Sequence, residues 1–268
     1  MRVGVDSYAY HRLLGEIRPG EEEPRHQFPR GTLDAIAHAR SLGSDAILLE
    51  TSLLGPAAAF DPAPLAHEGG ATAVGLSWGA PDGLAFGARP ERLDDLVAWL
   101  RHAVMLDLRV MRIVAGGPRN RGGDIRPLVP LLREACAAAR VDGLVLALAN
   151  HADLRAQDLE ELLEPVGDDR LRICFDTANA LRVGDDPAAA ATRLAPAIDV
   201  LHVKDCAAGW DDPVTGPISV APGEGVIPLD EILAACPSAL ACAELGQLGP
   251  GADERELVEA TVEYIRAR

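Results

Sequence analysis

Residues 171–180 read Leu-Arg-Ile-Cys-Phe-Asp-Thr-Ala-Asn-Ala. The first six are apolar on nearly every position, too few for a stable helix, and end on an acid. A parallel strand covered on both faces has this pattern, because neither face meets solvent. Seven further runs share it, at residues 3–6, 46–50, 72–77, 110–115, 144–148, 200–204 and 240–245.

The stretches between them have helical periodicity and recognisable ends. Residues 32–42 stop at Gly43, a residue suited to the left-handed backbone that closes a helix. Residues 90–106 carry Leu93, Leu96, Val97, Leu100 and Val104 at helical spacing, with Pro90 in the first turn. Residues 154–163, 187–194, 229–235 and 253–266 follow the same logic. In 125–139, Pro127 and Pro130 move the dependable start of the helix to residue 130. Residues 15–30 and 55–70 read as loops.

Eight strands alternating with helices over 268 residues place the chain in the α/β class. The rhythm is that of a single (β/α)8 TIM barrel, a fold of about 250 residues. An open doubly wound sheet is disfavoured: Val3-Gly4-Val5-Asp6 is not followed by GxGxxG, and no Walker-type phosphate loop occurs. Without a linker or a low-complexity tract, residues 1–268 read as one domain.

The charge balance narrows the function. With 41 acidic and 25 basic residues, the net charge of −16 disfavours nucleic acid and anionic membrane surfaces as partners. No apolar run approaches the roughly 18 residues that cross a bilayer. The first residues lack the basic-then-apolar pattern of a secretory leader. Five scattered cysteines without a CxxC pair suit a reducing compartment. These features set the expectation of a cytoplasmic protein.

In such a barrel the chemistry gathers where the strands end at their C-terminal side. There the sequence places Asp6, Glu50, Ser77-Trp78, Gly116-Gly117, Asn150-His151, Asp176, His202 with Lys204, and Glu244. Asp176, His202 and Glu244 come from three adjacent strands. Two carboxylates and an imidazole are a donor set for a divalent metal such as Mn²⁺, Mg²⁺, Co²⁺ or Zn²⁺. Singly, Asp176 also reads as a turn cap and His202 as a structural histidine; together at strand ends they read as a site.

The strings VDSYAYHR, ILLETS, LALANH, CFDTANA, LHVKD, PGEG and CAELGQ, in register from the first strand to the last, resemble the xylose isomerase-like TIM-barrel superfamily. That grouping includes sugar isomerases and epimerases, inosose dehydratases and endonuclease-IV-type enzymes. The resemblance implies one divalent metal, Mn²⁺, Mg²⁺ or Co²⁺ ahead of Zn²⁺, held by Glu, Asp, His and Glu from strands 5 to 8. Asp176, His202 and Glu244 match the last three. Ala149 stands where the first glutamate is expected.

In epimerases of this superfamily the strand-5 and strand-8 glutamates exchange a proton with the carbon beside a carbonyl, while the metal stabilises the enediolate. The resemblance therefore implies an isomerase or epimerase acting on a sugar or polyol, with Glu244 as acid/base. Ala149 marks either a disabling substitution or a natural branch that uses one base, recruits His151 or Asp153, or only binds sugar. A lyase of the inosose or dehydroshikimate dehydratase kind, or one cleaving C-glycosides by β-elimination, needs the same residues.

Further candidates to bind substrate are Glu50, His11, Trp78, Asn150, His151, Asn179 and Lys204. Lys204 reads equally as a partner of Asp205, and Glu50 as a bridge to a neighbouring strand. Asn179 stands where ketose epimerases carry a histidine, which disfavours a free ketohexose substrate. A homodimer is implied only by the resemblance.

Overall fold

The computed structural model describes residues 1–68, 73–79, 82–140, 143–209 and 216–268. Its eight parallel strands are β1 (Arg2–Asp6), β2 (Ala46–Glu50), β3 (Ala73–Ser77), β4 (Val110–Val114), β5 (Val145–Ala149), β6 (Leu171–Asp176), β7 (Ile198–Val203) and β8 (Leu240–Ala243). Each pairs with its neighbours in sequence, and β8 pairs with β1 to close the barrel. The (β/α)8 reading holds. Thr72, expected to open the third strand, lies outside the described residues.

Helices α1 (Thr32–Ser41), α2 (Ala63–Glu68), α3 (Arg92–Met105), α4 (Leu128–Ala138), α5 (Ala156–Val166), α6 (Thr177–Arg182), α7 (Pro187–Leu194), α8 (Leu229–Ala235) and α9 (Glu254–Arg266) lie between and after the strands. Their apolar stripes cover the outside of the barrel, with Leu96 and Leu100 of α3, Leu159 and Leu162 of α5, and Val258 and Val262 of α9 buried in one core. Three helix starts carry a capping acid: Asp176 accepts from Ala178 N, Asp186 from Ala189 N, and Asp253 from Arg255 N. α5 closes on Gly167 at φ +65°, where a side chain would be strained.

Some boundaries differ from expectation. The helix expected from Pro130 starts at Leu128, because a proline in the first turn needs no amide hydrogen. Residues 55–70, read as a loop, contain α2. After β7, Asp205–Cys206 pairs antiparallel with Ser219–Val220 beyond the barrel rim. Asp205 holds that loop together: its carboxylate accepts from Cys206, Gly223, Gly225 and Ile227 N–H groups. Among the described residues no helix is long and apolar enough to cross a membrane.

Candidate functional site

Leu48, Ala147, Ala149, Cys174, Val200 and Cys242 form a small apolar layer of their own, separate from the core under the helices. Side chains on one face of a strand recur every second residue. Two positions beyond that layer the same face therefore delivers Glu50, Asp176, His202 and Glu244 to the C-terminal mouth. Lys204 continues the β7 series by one more step. All five are buried. Above them opens a cavity of about 380 Å³, lined among others by Asp6, Glu50, Arg112, His151, His202, Lys204 and Glu244.

The polar groups at this mouth are fixed by one another. Asp176 caps α6, its Oδ1 accepting from Ala178 N at 3.0 Å and Asn179 N at 2.8 Å. Its Oδ2 accepts from Asn179 Nδ2 at 2.8 Å and lies 2.7 Å from Lys204 Nζ. The same ammonium donates to Glu244 Oε2 at 2.8 Å. His202 sits between two acids, Nδ1 3.3 Å from Glu244 Oε2 and Nε2 3.4 Å from Asp6 Oδ2. Asp6 is steadied by Ser77 Oγ at 2.5 Å. Asn150 exchanges two hydrogen bonds with the Asp176 backbone, locking the end of β5 to β6.

These contacts separate the protonation states of the site. Burial alone would discharge Lys204, but Asp176 and Glu244 raise its pKa instead. Burial opposes ionisation of Glu244 as well, yet Lys204 and His202 hold its carboxyl well below the usual range. Glu50 goes the other way. Burial pushes it up to about 8 against the pull of Arg112, whose Nη1 is 3.4 Å from Glu50 Oε2. Burial and the Arg112 charge depress His151 to about 3, so its imidazole is neutral, with Nδ1 3.2 Å from the Gly116 carbonyl.

The family model described as xylose isomerase-like TIM barrel matches residues 72–236, more than half of the chain. The chain belongs to the xylose isomerase-like TIM barrel family. It is similar to 2-epi-5-epi-valiolone 7-phosphate 2-epimerase of Actinoplanes sp. (strain SE50/110), 29% identical over 68% of this chain and 69% of that protein. The curated relatives it matches are covered over 35% to 69% of their length. Two solved structures share the fold at TM-score 0.69. One is the probable 3-DHS dehydratase AsbF from Bacillus anthracis, 18% identical with both chains covered in full. The other is the IolI protein with a bound zinc atom, 15% identical over 100% of this chain and 96% of that one.

In this xylose isomerase-like barrel, Asp176, His202 and Glu244 bring ligand atoms within 4.8 Å of one another. Two carboxylates and an imidazole fit a divalent ion in charge and donor type. Both imidazole nitrogens of His202 are buried without a hydrogen-bonded partner, as a ligand's nitrogen would be. Two features weaken the fit. Ala149, 1% exposed, brings only a methyl to the same face of β5. The Lys204 ammonium takes a place between both carboxylates that the ion would share.

Of the other expected site residues, Asn179 and His151 line the cavity, and Asn150 acts on Asp176 from beneath. Lys204 does not pair with Asp205, whose carboxylate is taken up by backbone N–H groups. Glu50 is a bridge, but to Arg112 on β4 rather than to the adjoining strand. Trp78 and His11 are not at the cavity. Trp78 follows the inward Ser77, so the pleat turns its indole out to Asp95 of α3 at 2.8 Å. His11 lies beyond a short 3₁₀ turn and bonds Glu21 at 3.0 Å. Asp153 is buried, accepting from Leu154 N. Sequence reasoning placed Asp6 at a strand end without giving it a role, and missed Arg112 as a site residue. Arg112 had a signal, a lone charge inside the run Val110–Val114.

Proposed function

We propose that this barrel moves a proton beside the carbonyl of a small sugar or polyol, as an isomerase or epimerase passing through an enediolate. The observation that carries the reading is the pair Glu244 and Glu50, two carboxyls lining one cavity in opposite protonation states. A pair pushed apart in this way supplies a base and an acid at neutral pH. Glu244, ionised, takes the proton from carbon; Glu50, protonated, returns one. Glu50 thereby assumes the part of the glutamate that Ala149 replaces.

Lys204 and His202 place positive charge where the enediolate oxygen develops. His151, neutral, offers a hydrogen bond to a substrate hydroxyl, and Asn150 and Asn179 hold Asp176 in place. A divalent ion on Asp176, His202 and Glu244, Mn²⁺, Mg²⁺ or Co²⁺ ahead of Zn²⁺, would require His202 neutral and would displace the Lys204 ammonium, supplying Lewis-acid stabilisation of that oxygen in place of their charges. The epimerase among the relatives supports a sugar-like substrate, and a cytoplasmic homodimer accompanies the reading.

A lyase is the second reading, favoured by the protonated Glu50, which could protonate a departing hydroxyl after the same carbon deprotonation. Incubation in D₂O with Mn²⁺ and a panel of keto sugars, an inosose and dehydroshikimate, read by proton NMR, separates the two. Deuterium beside the carbonyl without loss of water supports the isomerase or epimerase. Loss of water marks the lyase. Exchange on no substrate, with this chain or its Ala149→Glu variant, rejects both.

A further inference from the structure

Between β1 and α1 the chain runs along the rim of the cavity. Glu16, Arg18 and Pro19 line it from this segment. Gln247, from the loop after β8, meets them there, its Nε2 donating to the Pro19 carbonyl at 3.1 Å. The segment has little apolar packing of its own. Ile17 is 37% exposed, and Pro19 and Gly20 are exposed beside it. Gly15 at φ +96° and Gly20 at φ +86° bend the chain through left-handed backbone, and a Cβ on Gly15 would meet no atom within 4 Å.

The hold on this segment is polar. Arg18 Nε donates to Tyr8 OH at 3.0 Å, but most bonds converge on Glu21. Its carboxylate accepts from Arg18 N at 3.0 Å, from Leu248 N of the β8 loop at 2.9 Å, and from His11 Nε2 at 3.0 Å. The other ring nitrogen of His11, Nδ1, lies 3.0 Å from the Tyr8 carbonyl oxygen. Carbonyl and carboxylate oxygens only accept, so both nitrogens donate and the ring is an imidazolium. It is fully buried, with Glu254 Oε1 4.0 Å from Nδ1 as a second acid. Burial opposes ionisation of Glu21, yet His11 and the two amide donors hold its carboxyl below the usual range. His11 is fixed in turn. Its ring stacks on Tyr8 at 5.1 Å between centres, and Arg12 beside it is tied to Glu254 and to the Ala252 carbonyl. A fixed buried cation thus grips a carboxylate carried by a loosely packed segment.

We propose that residues 16–21 are a flap on the cavity and that the His11–Glu21 ion pair is its clasp. With the pair made, the flap is tied to the β8 loop and narrows the entrance; with the pair parted, substrate enters and product leaves. A segment held by a few hydrogen bonds opens at a fraction of the free energy that unfolds the barrel, as an entrance needs. His11 acts through Glu21 and touches no substrate. The inference rests on the proton-transfer reading only in taking this cavity as the substrate site.

Native-state amide hydrogen exchange of the whole chain, read residue by residue by NMR, tests it without a substrate. In the wild type the Arg18 and Leu248 amides share one opening constant, at least roughly a hundredfold larger than that of the β7 amides. His11→Leu leaves both acceptor oxygens of Glu21 in place and removes the cation. It raises exchange at both amides roughly tenfold and leaves β7 unchanged. His11→Gln, which keeps a donor without the charge, falls between the two. Cys206, 1% exposed and lining the cavity, reports entry: its labelling by N-ethylmaleimide quickens in His11→Leu by a similar factor. Independent opening of the two amides, opening no easier than that of β7, or faster loop exchange with unchanged Cys206 labelling overturns the proposal. The wild-type exchange decides even where His11→Leu fails to fold. Deuterium incorporation into a keto sugar without a shared opening removes the clasp and leaves the proton-transfer reading. A shared opening without turnover of any substrate does the reverse.

Discussion

Lys204 Nζ lies 2.8 Å from Glu244 Oε2, and the same ammonium lies 2.7 Å from Asp176 Oδ2. One buried cation is thus shared between two acids from the strands on either side of it. Its removal leaves two buried carboxylates facing each other, a loss of about 3–5 kcal/mol where a buried pair is broken. The Lys204→Met variant is expected to unfold in urea with a stability lower by that order. Added Mn²⁺ restores much of the loss, because the ion takes up the same oxygens. Calorimetry should show Lys204→Met binding Mn²⁺ more tightly than the wild type. Equal affinity in the two proteins would show that the ammonium and the ion do not compete.

Ala149 makes the complementary case. Its methyl is buried beside the Cys174 layer, one strand from Asp176. A carboxylate introduced there without a counter-ion is costly, on the order of several kcal/mol. The Ala149→Glu variant should therefore melt below the wild type in chelator and regain stability with Mn²⁺. Its metal affinity should rise at least roughly tenfold, 1.4 kcal/mol. Unchanged affinity would remove the strand-5 position from the metal site.

The barrel was legible because buried parallel strands are continuously apolar, a pattern that needs no partner information. Asp176, His202 and Glu244 were legible for the same reason, each being a polar residue at or near the C-terminal end of such a run. What escaped depends on parity and tertiary position. Trp78 is one residue beyond an inward position and so faces the helices. Arg112 sits inside a strand, where a charge reads as noise until Glu50 is seen 3.4 Å away. α6 begins directly from β6, six residues long with Asp176 as its cap, leaving no loop signal to announce it.

Glu50 carries a pH dependence with a definite sign. Its carboxyl is held at about 8 in the folded chain, chiefly by burial, against 4.5 in its ordinary state. The folded protein keeps this proton where the unfolded chain has released it. The associated stability is fully present below pH 4.5 and is lost as pH rises through about 8, up to ~5 kcal/mol in all. Urea unfolding across this window should show the decline, and Glu50→Gln should flatten it. Turnover should fall above about pH 8 as the acid is lost. A wild-type profile no steeper than that of Glu50→Gln would mean that the carboxyl ionises normally.

Gly79 tests what keeps Glu50 in place. A Cβ on Gly79 would collide with Glu50 Oε1, so the backbone at the end of β3 comes as close to this carboxyl as a glycine permits. The Gly79 N–H is itself anchored on Thr51 Oγ1 at 3.0 Å, so the loop cannot easily withdraw. The Gly79→Ala variant must therefore move the Glu50 carboxyl, at a stability loss of about 1–3 kcal/mol from overpacking. A displaced carboxyl loses its burial, and burial is the main cause of its raised pKa. The expected signature is a shallower decline of stability between pH 4.5 and 8, with deuterium exchange slowed more than the stability loss explains. If Gly79→Ala lowers stability yet leaves the slope in that window unchanged, the carboxyl is held by Arg112 rather than by the approach of Gly79.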